Sequence, residues 1–433
     1  MNRFMKKHLP LLLALLAMPA GAGDIAIING TVHTVSDAGV IEKGTVLIRD
    51  DRIIAVGADV AVPDDAVVID ANGRIVTPGL VEPASQLGLT EVGAVDGTND
   101  WTSLDDRFTA SHAVADAINP RSSLIPIQRM EGVTRAVSVP AVSYDGGQLI
   151  SGRSAAISLG SVSDFIVREH AGMHAAFGET AAQLAGGSRG VAMLKLREAL
   201  DDARDFARNR DAFMAADRYA YALSRLDLEA LQPVLAGDMP FVVGVERASD
   251  IEAILRLAAD YQLKLVISGG SEAWMVADQL AAANVPVIVD AYQNLPSSFE
   301  SLGSTLENAA RLHAAGVTVV FSAGAGTGPS GTHNARNITQ YAGNAVAHGL
   351  DYDAALAAIT ANPAAIYGLS DVGRLAAGYR ADVVIWDGDP LEVTSFPDAV
   401  LIDGEMMPMT SRQQLLRDRY RDDEDWPQAY DKP

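Results

Sequence analysis

The residues able to do chemistry in this chain are histidines, carboxylates and arginines, because cysteine is absent. There is therefore no thiol nucleophile, no thiolate metal ligand and no disulfide. Beyond His8, near the amino terminus, seven histidines remain: His33, His112, His170, His174, His313, His333 and His348. His170 and His174 are four apart, which would align two imidazoles on one helical face. They lack the intervening Glu of a zinc-protease motif, and Ala175-Ala176-Phe177 points to a strand instead. With no third ligand beside them, a chance surface pair is the better reading. Carboxylates close several apolar runs: Glu82, Glu246, Glu272 and Asp290. Such groups could do acid–base work if burial raises their pKa. The plainer alternative is salt bridging to Arg153, Arg247 or Arg336.

Those runs imply the elements that would position the candidates. From Asp24 to Thr77 the chain reads as short strands and tight turns. Asn29-Gly30 and Asn72-Gly73 are hairpin-type signals. A matching set lies far downstream, in Ala381–Trp386 and Ala399–Ile402. Two half-sandwiches flanking a large central segment predict one composite β-sandwich closed by both chain ends. Between them, apolar runs alternate with helical patterns, as a parallel α/β barrel requires. The strand candidates are 133–139, 155–159, 241–245, 264–267, 285–289 and 317–321. Ser249-Asp250-Ile251-Glu252 is a capping box, and Ile251, Ile254, Leu255 and Ala258 continue it as an apolar stripe. The stretches 271–283, 306–314 and 353–360 are helical, the last redirected at Asn362-Pro363. Residues 189–235 read as a long charged helical insertion. The fold class is thus α/β, a TIM-like (β/α)8 barrel with a small composite β-sandwich formed by both chain ends.

Two segments identify a family. Val76-Thr77-Pro78-Gly79-Leu80-Val81-Glu82-Pro83-Ala84-Ser85-Gln86 resembles the strand that opens the catalytic barrel of the amidohydrolase superfamily. Gly373–Asp382 resembles that family's return segment. Asp145–Ser154 and Gly331–Asn337 are similar to stretches of the imidazolonepropionase-like branch. The resemblance runs from Ile25 to about Met409. It implies a metal-dependent hydrolase of carbon–nitrogen bonds other than peptide bonds. In that family the opening strand carries Asp-x-His-x-His, with two metal-binding histidines. Here Glu82 stands at the Asp, and Ala84 and Gln86 stand at the histidines. Gly244 and Gly269 occupy the positions of the next two histidines, and Gly324 that of the catalytic Asp. The expected ligand set is therefore missing at every position. Against the same frame, Glu272, Asp290, His333 and Arg336 are the candidate catalytic residues. Arg153 and Arg247 are candidate ligand-binding residues, Arg153 as a clamp for a carboxylate. No cofactor is predicted; zinc or another divalent metal enters only if a noncanonical site exists.

The organisation expected is a signal peptide over 1–22, the first part of the sandwich over 23–81, the barrel over 82–372, the second part over 373–409 and an acidic tail over 410–433. Arg3, Lys6 and Lys7 precede the apolar run Leu9–Met18, and Ala20-Gly21-Ala22 forms a cleavage site. The run is too short to span a membrane. This predicts a periplasmic protein, with full secretion as the alternative. Loss of those three bases takes the formal net charge from −22 to −25, which disfavours nucleic acid and anionic membranes as partners. Two functions follow: a noncatalytic subunit or ligand-binding homologue, and an active hydrolase of cyclic amides or N-acyl groups using a metal-free or relocated site. The first allows a metal-bearing sibling, self-association or a small-molecule ligand as partner.

Overall fold

The computed structural model describes residues 23–143, 145–215, 217, 220–323 and 330–421, with the side chains of 330 and 331 left aside. The predicted signal peptide and the end of the acidic tail lie outside these residues. Among them no helix is long and apolar enough to cross a membrane.

Both ends of the chain build one sheet. Strands β1 (Ile25–His33), β2 (Val40–Arg49), β3 (Arg52–Gly57), β4 (Val67–Asp70) and β5 (Ile75–Pro78) come from the amino-terminal side. Eight strands follow in the central segment: β6 (Leu80–Ser85), β7 (Val133–Ser138), β8 (Ile150–Ser158), β9 (Ile166–Ala176), β10 (Phe241–Val245), β11 (Leu265–Gly269), β12 (Val287–Val289) and β13 (Val319–Phe321). The chain then returns through β14 (Val383–Trp386), β15 (Pro397–Ile402) and β16 (Glu405–Met406). The end sheet has the order β16-β15-β14-β5-β1-β2-β3, with β4 also on β1. Its halves join where β14 pairs antiparallel with β5. Ile27, Val46 and Val76 from one end pack with Val383, Ile385 and Leu401 from the other. The two half-sandwiches expected from the pattern are thus one continuous sheet. Asn29-Gly30 is not a hairpin turn either. Asn29 takes φ 58° inside β1, and the register with β2 shifts between Ile27 and Gly30, so the pair forms a bulge.

Strands β6 to β13 run in sequence order around a nearly closed barrel. The interior is a cluster with one residue from every strand: Val81, Val137, Ala156, Ala171, Val242, Val266, Ile288 and Val320. Ala364, Ile366 and Tyr367 belong to the same cluster. The barrel departs from an all-parallel ring at one point. β8 runs antiparallel to both β7 and β9, which together form a three-stranded meander. The connections here are short enough to need no helix. β9 was absent from the expected strands because Arg168, Glu169, His170 and His174 interrupt its apolar pattern.

From β9 onward the strands are parallel, and helices cross between them. Residues 189–235, expected as an insertion, are instead the crossover between the neighbours β9 and β10. The helix Arg189–Met214 buries Ala192, Leu196, Ala199, Leu200, Ala203 and Phe206 in the main outer core. Its charged face hid this stripe in the sequence. The helix Ala248–Tyr261 forms as expected and buries Ile251, Ile254, Leu257 and Ala258, but it begins at Arg247 without a side-chain cap. The predicted capping box is not used. Glu272 supplies the acceptor instead, its Oε2 taking the Ala248 amide at 3.0 Å.

The ring closes between β6 and β13 without a backbone ladder. At one end, Ile359 O accepts from Val81 N and Ala358 O from Phe321 N, both at about the length of a normal ladder bond. At the other end, the Glu82 carboxylate accepts from Ser322 Oγ at 2.5 Å, Ala84 N at 3.1 Å and Ala323 N at 3.2 Å.

Candidate functional site

A parallel α/β barrel gathers its side chains at the carboxyl ends of the strands. Strand register decides which residues face inward. Val242 lies in the interior cluster and is aligned with His174 and Val266, so the His174 ring enters the barrel. Two residues further on, Gly244 is aligned with Ala176 and Ser268. Ser268 in turn is aligned with Ile288, which puts Asp290, two residues beyond, on the inner face at the mouth. Ile288 is aligned with Val320, and Ser322 follows by the same alternation.

The residues at the family positions can be placed one by one. Gly244 carries no donor, and a Cβ built on it meets nothing closer than Ala175 O at 3.8 Å. Gly269 has φ 95°, and a Cβ there would overlap the Glu246 carboxylate. Glu246 is held in that place by Ser271, whose amide and Oγ donate to Oε2 at 2.9 and 2.5 Å. Ala84 is buried and apolar. Gln86 is buried, its Oε1 accepting from Thr332 Oγ1 at 3.2 Å. Gly324 lies outside the described residues. Among the described residues no three His, Asp or Glu side chains converge on a point that could hold an ion. Among the described residues, those at the family's ligand positions offer no imidazole to an ion of the kind the resemblance implies.

The carboxylates divide into two kinds. Glu272 is structural in its contacts: Oε2 takes the Ala248 amide and Oε1 the Gly303 amide at 3.0 Å. Glu82 seals the ring. Burial drives its pKa up to about 7, against the pull of Ser322 and the amides of Ala84 and Ala323. Burial also raises Glu246, with Glu300 and Asp290 adding to the effect while Ser271 opposes it. Asp290 is raised by burial although it accepts from the Tyr292 and Gln293 amides. Tyr341 packs against Tyr292 with centroids 4.4 Å apart. Its phenol is raised by burial and then by Asp290, Glu82 and Tyr292. Tyr341 feels Asp290 and Glu82, and Glu246 feels Asp290 and Glu300, the last of which pairs with Arg189 at 3.1 Å.

The remaining candidates lie apart. Arg153 donates to Ser111 O at 2.8 Å and sits 3.0 Å from His170 Nε2, so its guanidinium is engaged on the β8–β9 side. Arg247 pairs with Asp250 at 2.6 Å. His333 is exposed in the short helix Ser330–Asn334. Arg336 lies near Glu131, whose raised pKa it counteracts. Of the four candidate catalytic residues, register brings only Asp290 onto the inner face at the mouth. His174, set aside in the sequence as half of a chance surface pair, is buried inside the barrel. Burial pushes its pKa down to about 3, so the ring is neutral, and its Nε2 has no hydrogen-bond partner among the described residues. The i,i+4 spacing, a helical relation, carries no information in a strand; the alignment of His174 with Val242 shows its direction.

The sequence model of the Amidohydrolase family matches residues 245–407. An amidohydrolase, tasK, of Hapsidospora irregularis is 25% identical over 391 residues, covering 84% of this chain. This chain spans only 39% of that protein's length. The imidazolonepropionase of Geobacillus kaustophilus is 40% identical over 79 residues, 16% of each chain. The crystal structure of an amidohydrolase from Thermotoga maritima superimposes with a TM-score of 0.78 at 26% identity, covering 89% of this chain and 99% of the other.

Proposed function

Because the chain belongs to the amidohydrolase superfamily, we propose that it is a member that keeps the barrel and dispenses with the metal-dependent chemistry. It is a noncatalytic subunit or ligand-binding homologue, exported to the periplasm by its amino-terminal leader, with secretion as the alternative address. The observation that carries this reading is the Glu246 carboxylate, which fills the space a side chain at Gly269 would need. A histidine at that position could not simply be restored; Glu246 would have to leave its bonds to Ser271. The loop after β12 exposes Leu295, Phe299 and Leu302, an apolar rim that suits a protein partner such as a metal-bearing sibling or a second copy.

The test is direct. Protein produced with zinc, iron and manganese in the medium is expected to carry substoichiometric metal by elemental analysis and to leave cyclic imides and N-acyl amino acids intact. Stoichiometric metal together with hydrolysis of either class refutes the proposal.

A second reading keeps hydrolysis and moves it to a metal-free site. Asp290 favours it, since a half-buried carboxyl whose pKa is raised by burial suits general acid–base work. Glu272, Asp290, His333 and Arg336 would then be the residues to replace. Activity that survives alanine at all four positions would exclude that site.

A further inference from the structure

The mouth holds an arrangement that barrel closure does not explain. His174 is 8% exposed and its Nε2 has no hydrogen-bond partner among the described residues. A buried polar atom left unsatisfied is costly, so its place in a packed barrel calls for a bonding group. Above it the wall is made of small residues. Ala176, Gly244 and Ser268 are only partly buried, and a Cβ on Gly244 would meet only Ala175 O, at 3.8 Å, among the described residues. Asp290 stands on the same inner face, with the rings of Tyr292 and Tyr341, tilted 57° to each other, near it. Among the described residues Glu82, Glu246 and Asp290 have no ion-pair partner, and the cation Arg189 beyond them is taken up by Asp250 and Glu300 at 2.8 and 3.1 Å.

We propose that this mouth binds a small organic amine, its ammonium group held by Asp290 and the Tyr292–Tyr341 rings and a ligand N–H or O–H donated to His174 Nε2. An ammonium gains from an unpaired carboxylate and from aromatic faces together. An anionic ligand would meet the carboxyls of Asp290, Glu246 and Glu82, none of which has an ion-pair partner among the described residues. The neutral imidazole serves as acceptor because burial keeps it unprotonated. This inference rests on the reading of the protein as a binding homologue, and names the ligand class for that site.

Calorimetric titration of the full-length mature protein with benzylamine and putrescine tests it, with benzoate and benzamide as anionic and uncharged counterparts. The amines are expected to bind saturably and the counterparts not. Asp290→Asn should weaken benzylamine at least about tenfold, the scale of one lost charge-assisted hydrogen bond. His174→Leu should weaken binding of putrescine by a similar factor. Should either variant fail to fold, the ¹⁵N resonance of His174 Nε2 in the unaltered protein still reports, and it should shift on addition of putrescine. Equal binding of benzoate, amine binding indifferent to Asp290→Asn, or an unmoved His174 resonance overturns the proposal. Absence of amine binding with no hydrolysis removes the site and leaves the noncatalytic reading standing. Amine binding accompanied by hydrolysis of the corresponding N-acylated amine keeps the site and removes that reading.

Discussion

The two ends of the barrel handle buried charge in opposite ways. At the base, where the barrel meets the end sheet, Arg135 is 1% exposed and Asp382 2% exposed. They form a two-point pair at 2.6 and 2.8 Å. Asp403 joins through Arg135 and Arg380, at 2.6 and 2.7 Å. Burial pulls the Asp403 carboxyl up, but the two guanidinium groups overcome it and hold it below its ordinary value. At the mouth, Glu82, Glu246 and Asp290 have no ion-pair partner among the described residues, and burial leaves all three raised. The base shows what this fold does with charge when the purpose is to join parts: every carboxylate is paired. The mouth keeps its carboxyls unpaired, which costs stability and makes sense only where something other than packing is served.

The sharpest way to break this contrast is at the base. Asp382→Ala leaves Arg135 buried beside a single remaining partner, and should cost about 3–5 kcal/mol in urea denaturation. A loss below about 1 kcal/mol would mean that the network is not what fastens the end sheet to the barrel.

The next largest effect belongs to Glu82, and its sign is opposite to that of a paired carboxylate. Its folded pKa, about 7, lies above the ordinary 4.5. Between these values the folded state keeps a proton that the unfolded state has lost. Stability therefore falls as pH rises from about 4.5 to 7 and levels off beyond, by about 3 kcal/mol in total. Glu82→Gln should flatten that slope. Parallel slopes for the two proteins, measured by denaturation at pH 5 and pH 8, would place the carboxyl among ordinary surface acids.

A smaller effect tests the packing of Glu246. Gly269→Ala adds a Cβ at positive φ against the carboxylate and should destabilise by about 1–3 kcal/mol. Combining it with Glu246→Ala should recover part of the loss, a coupling that a double-mutant cycle reads directly. Strict additivity would separate the two residues.

The sequence was most informative where local pattern and fold agree. Thr77-Pro78-Gly79-Leu80 does lead from the end sheet into the first barrel strand, and the return segment does bring Asp382 back beside it. Apolar runs such as Phe241–Val245 were legible as buried parallel strands because they are unbroken. β9 was not, since Gly172 and His174 on its inner side, and Arg168, Glu169 and His170 before them, read as loop or surface in any local window. The inward direction of His174 depends on its alignment with Val242, a relation across 68 positions that no local period reports. Glu272 illustrates the converse. A carboxylate at a strand end looked chemical, yet its oxygens are spent on the amides of Ala248 and Gly303. Which carboxylates are satisfied by backbone is a property of loop geometry, and residue types alone do not carry it.

A barrel is usually free of the hazard that open sheets carry, because every strand has two neighbours. The closure between β6 and β13 changes that. Their facing backbones are met by Ala358, Ile359 and one buried carboxylate instead of by each other. The molecule therefore contains two concealed edge strands. Any event that lifts the 358–360 segment away uncovers unpaired donors and acceptors on both, beside the apolar interior. The seam that closes this barrel is also the line along which it could recruit another chain into aggregation.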